Sequence, residues 1–392
     1  KTMAEEHSIY GPVALIKRTL PNTRVLPIIL KNNLTTSSLD VLIDKLQEIL
    51  PADAVIVSSI DFSHYQNVSV ADFHDELSKA VIENFDYEKL PQLEIDSTPS
   101  LYVLMKLMEK RGSQKILNHF HSNSGVLAGN NEAENTTSHF VFFFGSGEKE
   151  NKKYFSLLHF GDMMLDRNVK KKIDENGFDY LLKNLAGEEN RFFSGTNIFM
   201  ANLEGPFANF RRQTSKSIAF RFEPKLIPEL KKYHLTLFSL ANNHTLDMGL
   251  SGFAEAKDNL TKEGIEFFGR QVYTGTDSLL LKDLGKAKVG FIGLDDTIKP
   301  VDAAKAEELI AEAKGKKADF VLVSIHWGEE YQLLKSNKRQ QALAHLLIEA
   351  GADAVIGHHP HVVQEMEIYK NKPIFYSLGN FIFDQYFSLP TQ

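Results

Sequence analysis

Residues 352–361 read Ala-Asp-Ala-Val-Ile-Gly-His-His-Pro-His, and this stretch decides the fold of the second half of the chain. It begins with a short apolar run, which predicts a buried strand. The run ends abruptly at His358, His359 and His361, and Pro360 marks a turn. Imidazoles that directly follow a buried strand are typical of a binding site at the edge of a sheet.

Five further apolar runs end in the same way. They are 154–160 followed by Gly161-Asp162, 197–201 followed by Asn202-Leu203-Glu204, 235–241 followed by Asn242-Asn243-His244, 321–325 followed by His326-Trp327-Gly328, and 375–378 followed by Gly379-Asn380. Because the carboxyl ends of parallel strands open into one crevice, we expect these polar side chains to lie close together.

The composition is that of a folded protein with ordinary cores. The 392 residues are 43% hydrophobic and 24% charged, with a net charge of −7, which argues against non-specific nucleic-acid binding. The chain has no cysteine, so any metal must be bound by oxygen and imidazole ligands. No apolar run approaches the roughly 20 residues of a membrane span. The compartment is left open.

A polar, glycine-bearing stretch, 147–153, has the composition of a linker and predicts two domains, 1–146 and 154–392. The sequence begins as if inside a domain and stops after a strand-and-turn block, so we expect a fragment at both ends, with room for a signal peptide or membrane anchor outside it.

Strand-like and helical patterns alternate throughout, which predicts an α/β protein. The predicted strands are 24–30, 54–59, 139–144, 154–160, 197–202, 235–240, 288–293, 319–325, 353–357 and 373–378. The predicted helices are 39–50, 70–85, 101–109, 225–233, 250–263, 302–314 and 338–350.

The strand-end residues are of the kinds that bind a divalent cation without thiolates. Asp162 and Glu204 are carboxylates, Asn243 offers an amide oxygen, and His326, His359 and His361 offer imidazole nitrogens. His244, which follows Asn243, is of the type that protonates a leaving group near neutral pH. A bound cation lowers the pKa of its water and so supplies the nucleophile.

The motifs in 154–387 resemble those of the CapA family of poly-γ-glutamate capsule synthesis proteins, which is related to calcineurin-like metallophosphoesterases. The motifs are GDMMLDR (161–167), NLEG (202–205), ANNHTLDMG (241–249), HWGEEY (326–331), GHHPHV (357–362) and SLGNF (377–381). The resemblance implies a metallophosphoesterase-like αββα sandwich, truncated at its C-terminus.

The resemblance also implies roles for individual residues. Asp162, Glu204, Asn243, His326, His359 and His361 would bind one or two ions of Mn, Zn or Fe. His244 would be catalytic, with Asp247 beside it. Apart from the resemblance, Arg167, Arg221, Glu330 and Asn380 are the candidate substrate-binding residues, since they lie in or near the motifs. One departure is Met164, which stands where the superfamily has the His of an Asp-x-His motif.

Other interpretations of several residues stay open. Asp247 either caps the following helix or orients His244, and Arg167 and Arg221 either bind an anion or are solvated. Trp327 is as consistent with packing as with a substrate platform. A structural role is the better interpretation for the remaining histidines of this half, His159, His234 and His345.

The first half carries Asp61 and His64 after the apolar run 54–57, and His7 near the start. Taken alone, these residues favour structural roles such as turn capping. With 25–28 and the closing run 139–144, they resemble the C-terminal half of the Memo family (AmmeMemoRadiSam system protein B), which shares its fold with class III extradiol dioxygenases.

In the Memo family the pocket also uses histidines from an N-terminal half that this sequence lacks, and a Cys where this chain reads Asp96-Ser-Thr-Pro-Ser100. The resemblance therefore implies a partial domain over 1–146. Its candidate pocket residues are His64, Asp61 and His7, and a binding or structural role is expected.

The function expected from these observations is metal-dependent hydrolysis of a phosphoester in making a cell-surface polymer such as poly-γ-glutamate. An anionic polymer or phosphoester substrate and capsule-synthesis partners go with it. One alternative is a metal-containing protein that binds or exports the polymer without turnover. The other is redox chemistry of the first domain with a radical SAM partner.

Overall fold

The computed structural model describes residues 5–272 and 276–391, which form two compact units, Lys1–Lys152 and Lys153–Gln392. The division falls inside the polar stretch predicted as a linker, and residues 148–153 have no regular secondary structure. None of the described helices combines the length and apolar content that a membrane span requires.

The first unit packs helices against a small antiparallel sheet of strand order β1-β3-β2. Its strands are β1 (His64–Gln66), β2 (Lys115–Asn123) and β3 (Thr136–Gly145). Its helices are α1 (His7–Thr19), α2 (Thr36–Ile49), α3 (Val68–Asn84), α4 (Thr98–Lys110) and α5 (Ser124–Leu127). The three helices predicted at 39–50, 70–85 and 101–109 are confirmed as α2, α3 and α4.

Side-chain caps set where these helices begin. The Asn67 side chain accepts a hydrogen bond from Val70 N–H at the start of α3, and Ser97 does the same for Ser100 N–H at the start of α4. Such caps satisfy backbone donors that have no partner inside the helix.

Two strand predictions in this unit are wrong. Residues 24–30 and 54–59, all of which the structure describes, pair with no neighbouring strand and have no regular secondary structure. Val55 is 87% exposed and Val57 63% exposed, so the apolar alternation there faces solvent. A strand needs a partner for its backbone N–H and C=O groups, and the described chain offers none at these positions.

The second unit contains two sheets among its described residues. One has the order β12-β13-β11-β10-β9-β8 and the other the order β14-β4-β5-β6-β7. The pairs β8–β9 and β12–β13 are antiparallel and the rest are parallel. The strands are β4 (Leu157–Met163), β5 (Ile198–Leu203), β6 (Leu235–Ser239), β7 (Glu266–Phe268), β8 (Leu279–Asp283), β9 (Lys288–Asp295), β10 (Phe320–His326), β11 (Ala354–His358), β12 (Met366–Tyr369), β13 (Lys372–Phe375) and β14 (Asn380–Ile382).

Helices cover the outer faces of both sheets. They are α6 (Arg167–Asn176), α7 (Asp179–Ala186), α8 (Ile227–Lys232), α9 (Gly249–Lys262), α10 (Ala303–Gly315) and α11 (Lys338–Glu349). The first four pack on the β14-β4-β5-β6-β7 sheet, and α10 and α11 pack on the other. The sequence predicted neither α6 nor α7.

A third apolar cluster lies between the sheets and is formed by strand residues of both, including Met200 of β5, Phe291 of β9 and Leu322 of β10. The sheets therefore pack face to face, with one helical layer on each outer side. The mixed α/β class and the four-layer αββα arrangement expected from the sequence are confirmed.

Strand register aligns the polar strand ends. In one sheet, Asp162 pairs with Asn202 on one side and with Asn380 on the other. In the other sheet, His326 pairs with His358 and with Asp295. Gly161 makes the first alignment possible, because a Cβ atom there would lie 2.0 Å from the backbone oxygen of Gly379.

Candidate metal centre

Two imidazoles of the centre are set by the turn that follows β11. His359 has a φ of 98° and His361 a φ of 57°, with Pro360 between them. Positive φ is costly for residues with a Cβ, and such strain persists where the surroundings enforce it, often at functional sites. The turn brings the His359 ring 4.7 Å from that of His326 and 6.0 Å from that of His361, measured between centroids.

The strand ends bring the predicted ligands together in the interior. Ligand atoms of Asp162, Glu204 and His326 lie within 4.8 Å of one another, and so do those of Glu204, His359 and His361. Asp162, Glu204 and His326 are completely buried. Glu204 belongs to both groups, as a carboxylate shared by two cation sites would.

Asn243 joins the same cluster through its side-chain oxygen. The Oδ1 atom lies 3.2 Å from Nε2 of His326. The same His326 nitrogen lies 3.1 Å from Oε1 of Glu204. Amide oxygen, carboxylate and imidazole thus converge on one point, as expected for ligands of a borderline divalent cation.

Glu204 supplies the test of whether a cation fits. Neither of its carboxylate oxygens has a hydrogen bond within the described residues, although both are buried. Burial, followed by the charge of Asp162, raises the pKa of Glu204 to about 7. A buried carboxylate without donors is costly unless a positive charge faces it. The donor set of carboxylates, amide and imidazoles therefore fits a divalent cation.

The protonation of the neighbouring groups agrees with that fit. Burial holds the pKa of His326 well below its usual range and lowers that of His359 to about 3, so both are neutral, which is the ligand form of imidazole. Burial also acts on His361, but the charges of Glu204 and Asp162 raise its pKa to about 9. A divalent cation at this point would supply the positive charge that His361 otherwise carries.

His244 and Asp247 form a pair at the side of the cluster. Nδ1 of His244 lies 2.7 Å from Oδ2 of Asp247, so the carboxylate orients the imidazole. Phe220 N–H donates to the same oxygen, and Lys216 donates to Oδ1. Burial raises the pKa of Asp247, but the contacts with His244 and Lys216 lower it below its ordinary value. The alternative that Asp247 caps the following helix has no support, because α9 has no side-chain N-cap hydrogen bond.

Met164, which replaces an expected His, does not contribute a donor to the cluster. It is fully buried among apolar side chains of this half, and its sulfur accepts a hydrogen bond from Asp166 N–H at 3.0 Å. The thioether is thus occupied within its own turn.

The predicted substrate residues lie in different settings. The Arg167 guanidinium pairs with Asp384 and lies 5.1 Å from the ring centroid of Phe220 and 5.9 Å from that of Phe383. These rings contact His244 and His361 respectively, with centroids 4.3 and 4.7 Å apart. Arg167 therefore lies against two aromatic rings that in turn pack on His244 and His361.

Of the other three substrate candidates, only Asn380 has a hydrogen-bond contact with a candidate ligand among the described residues. Asn380 Oδ1 lies 2.9 Å from His361 Nδ1, which makes it a partner of a candidate ligand. Glu330 is exposed, and its charge acts on the pKa of Glu204 and His361. Arg221 donates its backbone N–H to Asp166, and its Nε has no hydrogen-bond partner among the described residues.

Three residues of the site were not predicted. Asn202 Nδ2 donates to Asp162 and lies 3.2 Å from His326 Nδ1, and Asn242 donates to Asn202. Both asparagines stand inside the strand-end motifs, so their position carried a signal. Lys216, which donates to Asn243 O at 2.6 Å and to Asp247, lies in an irregular loop with no motif.

In the first unit the three pocket candidates act on one acid. The charges of Asp61, His64 and His7 all act on the pKa of Asp96, which burial raises above its ordinary value. Asp96 also accepts the N–H of Asp61 at 3.0 Å. His7 is exposed, with a side chain 88% accessible. A separate group, Asp72, Asp75 and His121, was not predicted and brings three possible ligand atoms together.

Comparison with protein families gives two matches. The description "Bacterial capsule synthesis protein PGA_cap" matches residues 156–385, which is more than half of the chain and contains all the strand-end residues above. The description "Memo-like protein" matches residues 1–135.

Curated relatives agree with the first match. The capsule biosynthesis protein CapA of Bacillus anthracis is 30% identical over 259 residues, covering 60% of this chain and 61% of the relative. The PGA biosynthesis protein CapA of Bacillus subtilis is 32% identical over 242 residues, covering 57% and 62%. A probable polyglutamine synthesis accessory protein of Mycobacterium tuberculosis is 28% identical over 221 residues, covering 49% and 57%. The chain spans about three fifths of the length of these relatives.

Solved structures with a similar arrangement include a hypothetical protein from Thermus thermophilus, with 19% identity and a TM-score of 0.39 over 59% of this chain and 79% of the other. The calcineurin-like phosphoesterase YfkN from Bacillus subtilis has 19% identity and a TM-score of 0.33, covering 53% of this chain and 72% of the other.

Proposed function

The chain belongs to the bacterial capsule synthesis protein family PGA_cap, and we propose that its second unit is a divalent-cation-dependent hydrolase of phosphoesters. It would act in the synthesis of a cell-surface polymer of the poly-γ-glutamate type; one relative is named as a capsule biosynthesis protein and another as a PGA biosynthesis protein. Asp162, Glu204, Asn243, His326, His359 and His361 would hold one or two ions of Mn, Zn or Fe.

The observation that carries this proposal is the state of Glu204. Its carboxylate is completely buried, has no hydrogen bond among the described residues, and faces Nε2 of His326 at 3.1 Å and Nε2 of His361 at 4.0 Å. A protein that used this space only for packing would be more stable with an apolar side chain there. The arrangement is explained by a cation that the carboxylate binds.

The contacts indicate a separate role for each group of the site. When bound, the cation supplies Lewis-acid stabilisation and a water of lowered pKa. His244 can give a proton to the departing oxygen, because Asp247 holds its Nδ1 and leaves Nε2 for the substrate. Phe220 and Phe383 restrict water beside His244 and His361, and Arg167 lies where an anionic group can exchange for its contact with Asp384.

The test is elemental analysis together with a panel of phosphomonoesters and phosphodiesters, applied to the full chain and to His244→Ala. We expect stoichiometric metal in both proteins and turnover by the wild type only. No stoichiometric metal in the wild type would refute the cation site. Metal in both proteins without turnover by either would refute the hydrolase and leave a binding protein.

That second outcome corresponds to another candidate function, a non-catalytic role in handling the polymer. Two observations favour it: one relative is named as an accessory protein, and Met164 withholds the donor expected at its position. Tight binding of polyglutamate by the metal-loaded protein, with no hydrolysis of any ester in the panel, would support this role.

A further inference from the structure

Beside the candidate ligands lie two histidines whose ring nitrogens are buried and which the proposed chemistry does not use. His159 belongs to β4 and His358 to β11, and their ring centroids are 5.0 Å apart. All four of their ring nitrogens are buried and have no hydrogen-bond partner among residues 5–272 and 276–391.

The pair connects the two sheets directly below Asp162. His358 is the register partner of His326 in the neighbouring strand, so both rings lie on the face between the sheets. Its Nδ1 atom lies 3.4 Å from Oδ1 of Asp162, just beyond good hydrogen-bond geometry. His159 precedes Asp162 by three residues in the opposite sheet, and its ring packs against that of His358.

Packing alone does not account for these residues. On the face between the sheets, an apolar cluster contains Met200, the register partner of His159, together with Leu322 and Ala354, which lie four residues before His326 and His358 in their strands. Leucine at either histidine would extend that cluster, whereas an imidazole leaves a donor and an acceptor unsatisfied, which costs free energy at each position.

The side chain that His358 can support is the carboxylate of Asp162. Its Oδ1 accepts from Asn202 Nδ2 at 2.8 Å, and its Oδ2 accepts from His359 N–H at 3.1 Å. His361 Nδ1 lies 3.2 Å from Oδ2, and His358 Nδ1 lies 3.4 Å from Oδ1, so His358 is one more potential donor to this carboxylate.

We propose that His358, packed against His159, is a positioning residue that fixes the Asp162 carboxylate for cation binding. This inference rests on the proposed cation site. Groups that hydrogen-bond a ligand without touching the metal commonly change metal affinity 10- to 100-fold when removed.

The experiment measures Mn²⁺ affinity by calorimetry and the melting temperature of the metal-free full chain. His358→Leu is expected to weaken Mn²⁺ binding about 10- to 100-fold while the metal-free melting temperature stays equal or rises. His358→Gln keeps a side-chain N–H donor and is expected to recover most of the affinity. His159→Leu is expected to show a smaller loss, because it changes only the residue packed against the His358 ring and leaves the His358 donor in place.

His345→Leu is the matched control, since His345 contacts Glu367 and Tyr369 and none of the candidate ligands. Its Mn²⁺ affinity should equal that of the wild type. Should His358→Leu fail to fold, His358→Met is the second variant without a donor.

Wild-type affinity in a folded donor-free variant would overturn the positioning role and leave the proposed function intact. Equal losses in His358→Gln and His358→Leu would also overturn it. Absence of Mn²⁺ binding by the wild type would refute the proposed function, and the inference with it.

Discussion

The Nδ1 atom of His244 lies 2.7 Å from Oδ2 of Asp247, and Asp247 is held from two further sides by Phe220 N–H and by Lys216. The imidazole is therefore fixed by a carboxylate that cannot easily turn away. This arrangement leaves Nε2 of His244 as the nitrogen that can exchange a proton with a substrate.

Asp247→Asn is expected to lower phosphoester turnover about 100-fold or more, because the amide no longer holds the imidazole in one orientation and one tautomer. Steady-state kinetics with Mn²⁺ measures the effect, and bound metal should stay at the wild-type level. Asp174→Asn, which removes an exposed carboxylate on α6, is the control. Wild-type turnover in Asp247→Asn would show that the pair has no part in the reaction.

Glu204→Gln is expected to move stability and cation binding in opposite directions. The metal-free protein should gain about 1–2 kcal/mol in free energy of unfolding, because a buried charge without donors is replaced by a neutral group. Mn²⁺ affinity should fall more than about 100-fold, since a candidate ligand is lost rather than a group that supports one. Urea denaturation with a chelator and calorimetry are the two measurements. A destabilised metal-free variant would contradict the prediction.

The stability difference between Glu204→Gln and the wild type should change with pH in a defined direction. The pKa of Glu204 is raised to about 7 by burial and by the charge of Asp162, whereas that of an unfolded Glu is about 4.3. Between these values the folded protein retains a proton that the unfolded chain releases, so Glu204 lowers stability as pH rises. The stability advantage of Glu204→Gln, measured without metal, should therefore grow between about pH 5 and pH 8. A constant difference over that range would rule this explanation out.

Asp353 gives a prediction that does not depend on the metal centre. It accepts hydrogen bonds from Val321 N–H and Lys314 at 2.8 Å each, and from Lys372. Burial opposes its ionisation, yet the two lysines hold its pKa below the ordinary value. Asp353→Asn should cost about 1–2 kcal/mol of unfolding free energy near neutral pH.

For an acid whose pKa is lowered on folding, the stabilisation is present above the unfolded pKa and lost as pH falls. The difference between wild type and Asp353→Asn should thus shrink below about pH 4. Denaturant melts at several pH values measure it, and Asp319→Asn, which removes a neighbouring acid, is the comparison. A difference that grows in acid would contradict the assignment.

The fold of the second unit was predictable because its buried strands are recognisable from their apolar composition alone. Runs such as 321–323 and 354–357 are apolar over their whole length, as expected for parallel strands covered on both faces. The runs 24–30 and 54–59 have similar composition but no partner strand, and pairing cannot be read from one segment. α6 was missed because six of its ten residues, Arg167–Asn176, are charged, which hides its short apolar stripe of Val169 and Ile173.

At the site, the sequence identified residues that stand in motifs and missed those that act through the fold. Lys216 comes from an irregular loop and meets Asp247 only through tertiary structure. The direction of the Met164 sulfur, toward Asp166 N–H, is likewise a matter of local geometry that residue identity does not specify. In the first unit, the hydrogen bond from Asp61 N–H to Asp96 joins segments 35 residues apart, which no local pattern specifies.

The last strand, β14, lies beside β4 in one sheet, although the strand before it, β13, belongs to the other. Asp162 and His359, which meet at this junction, are 197 residues apart in sequence. Contacts of such long range form late, since a large loop must close before they stabilise anything. During synthesis the ribosome must release 380–382 before the sheet is complete. The cation site would therefore be among the last parts of this unit to mature, and nascent chains would expose an unprotected edge of β4 until then.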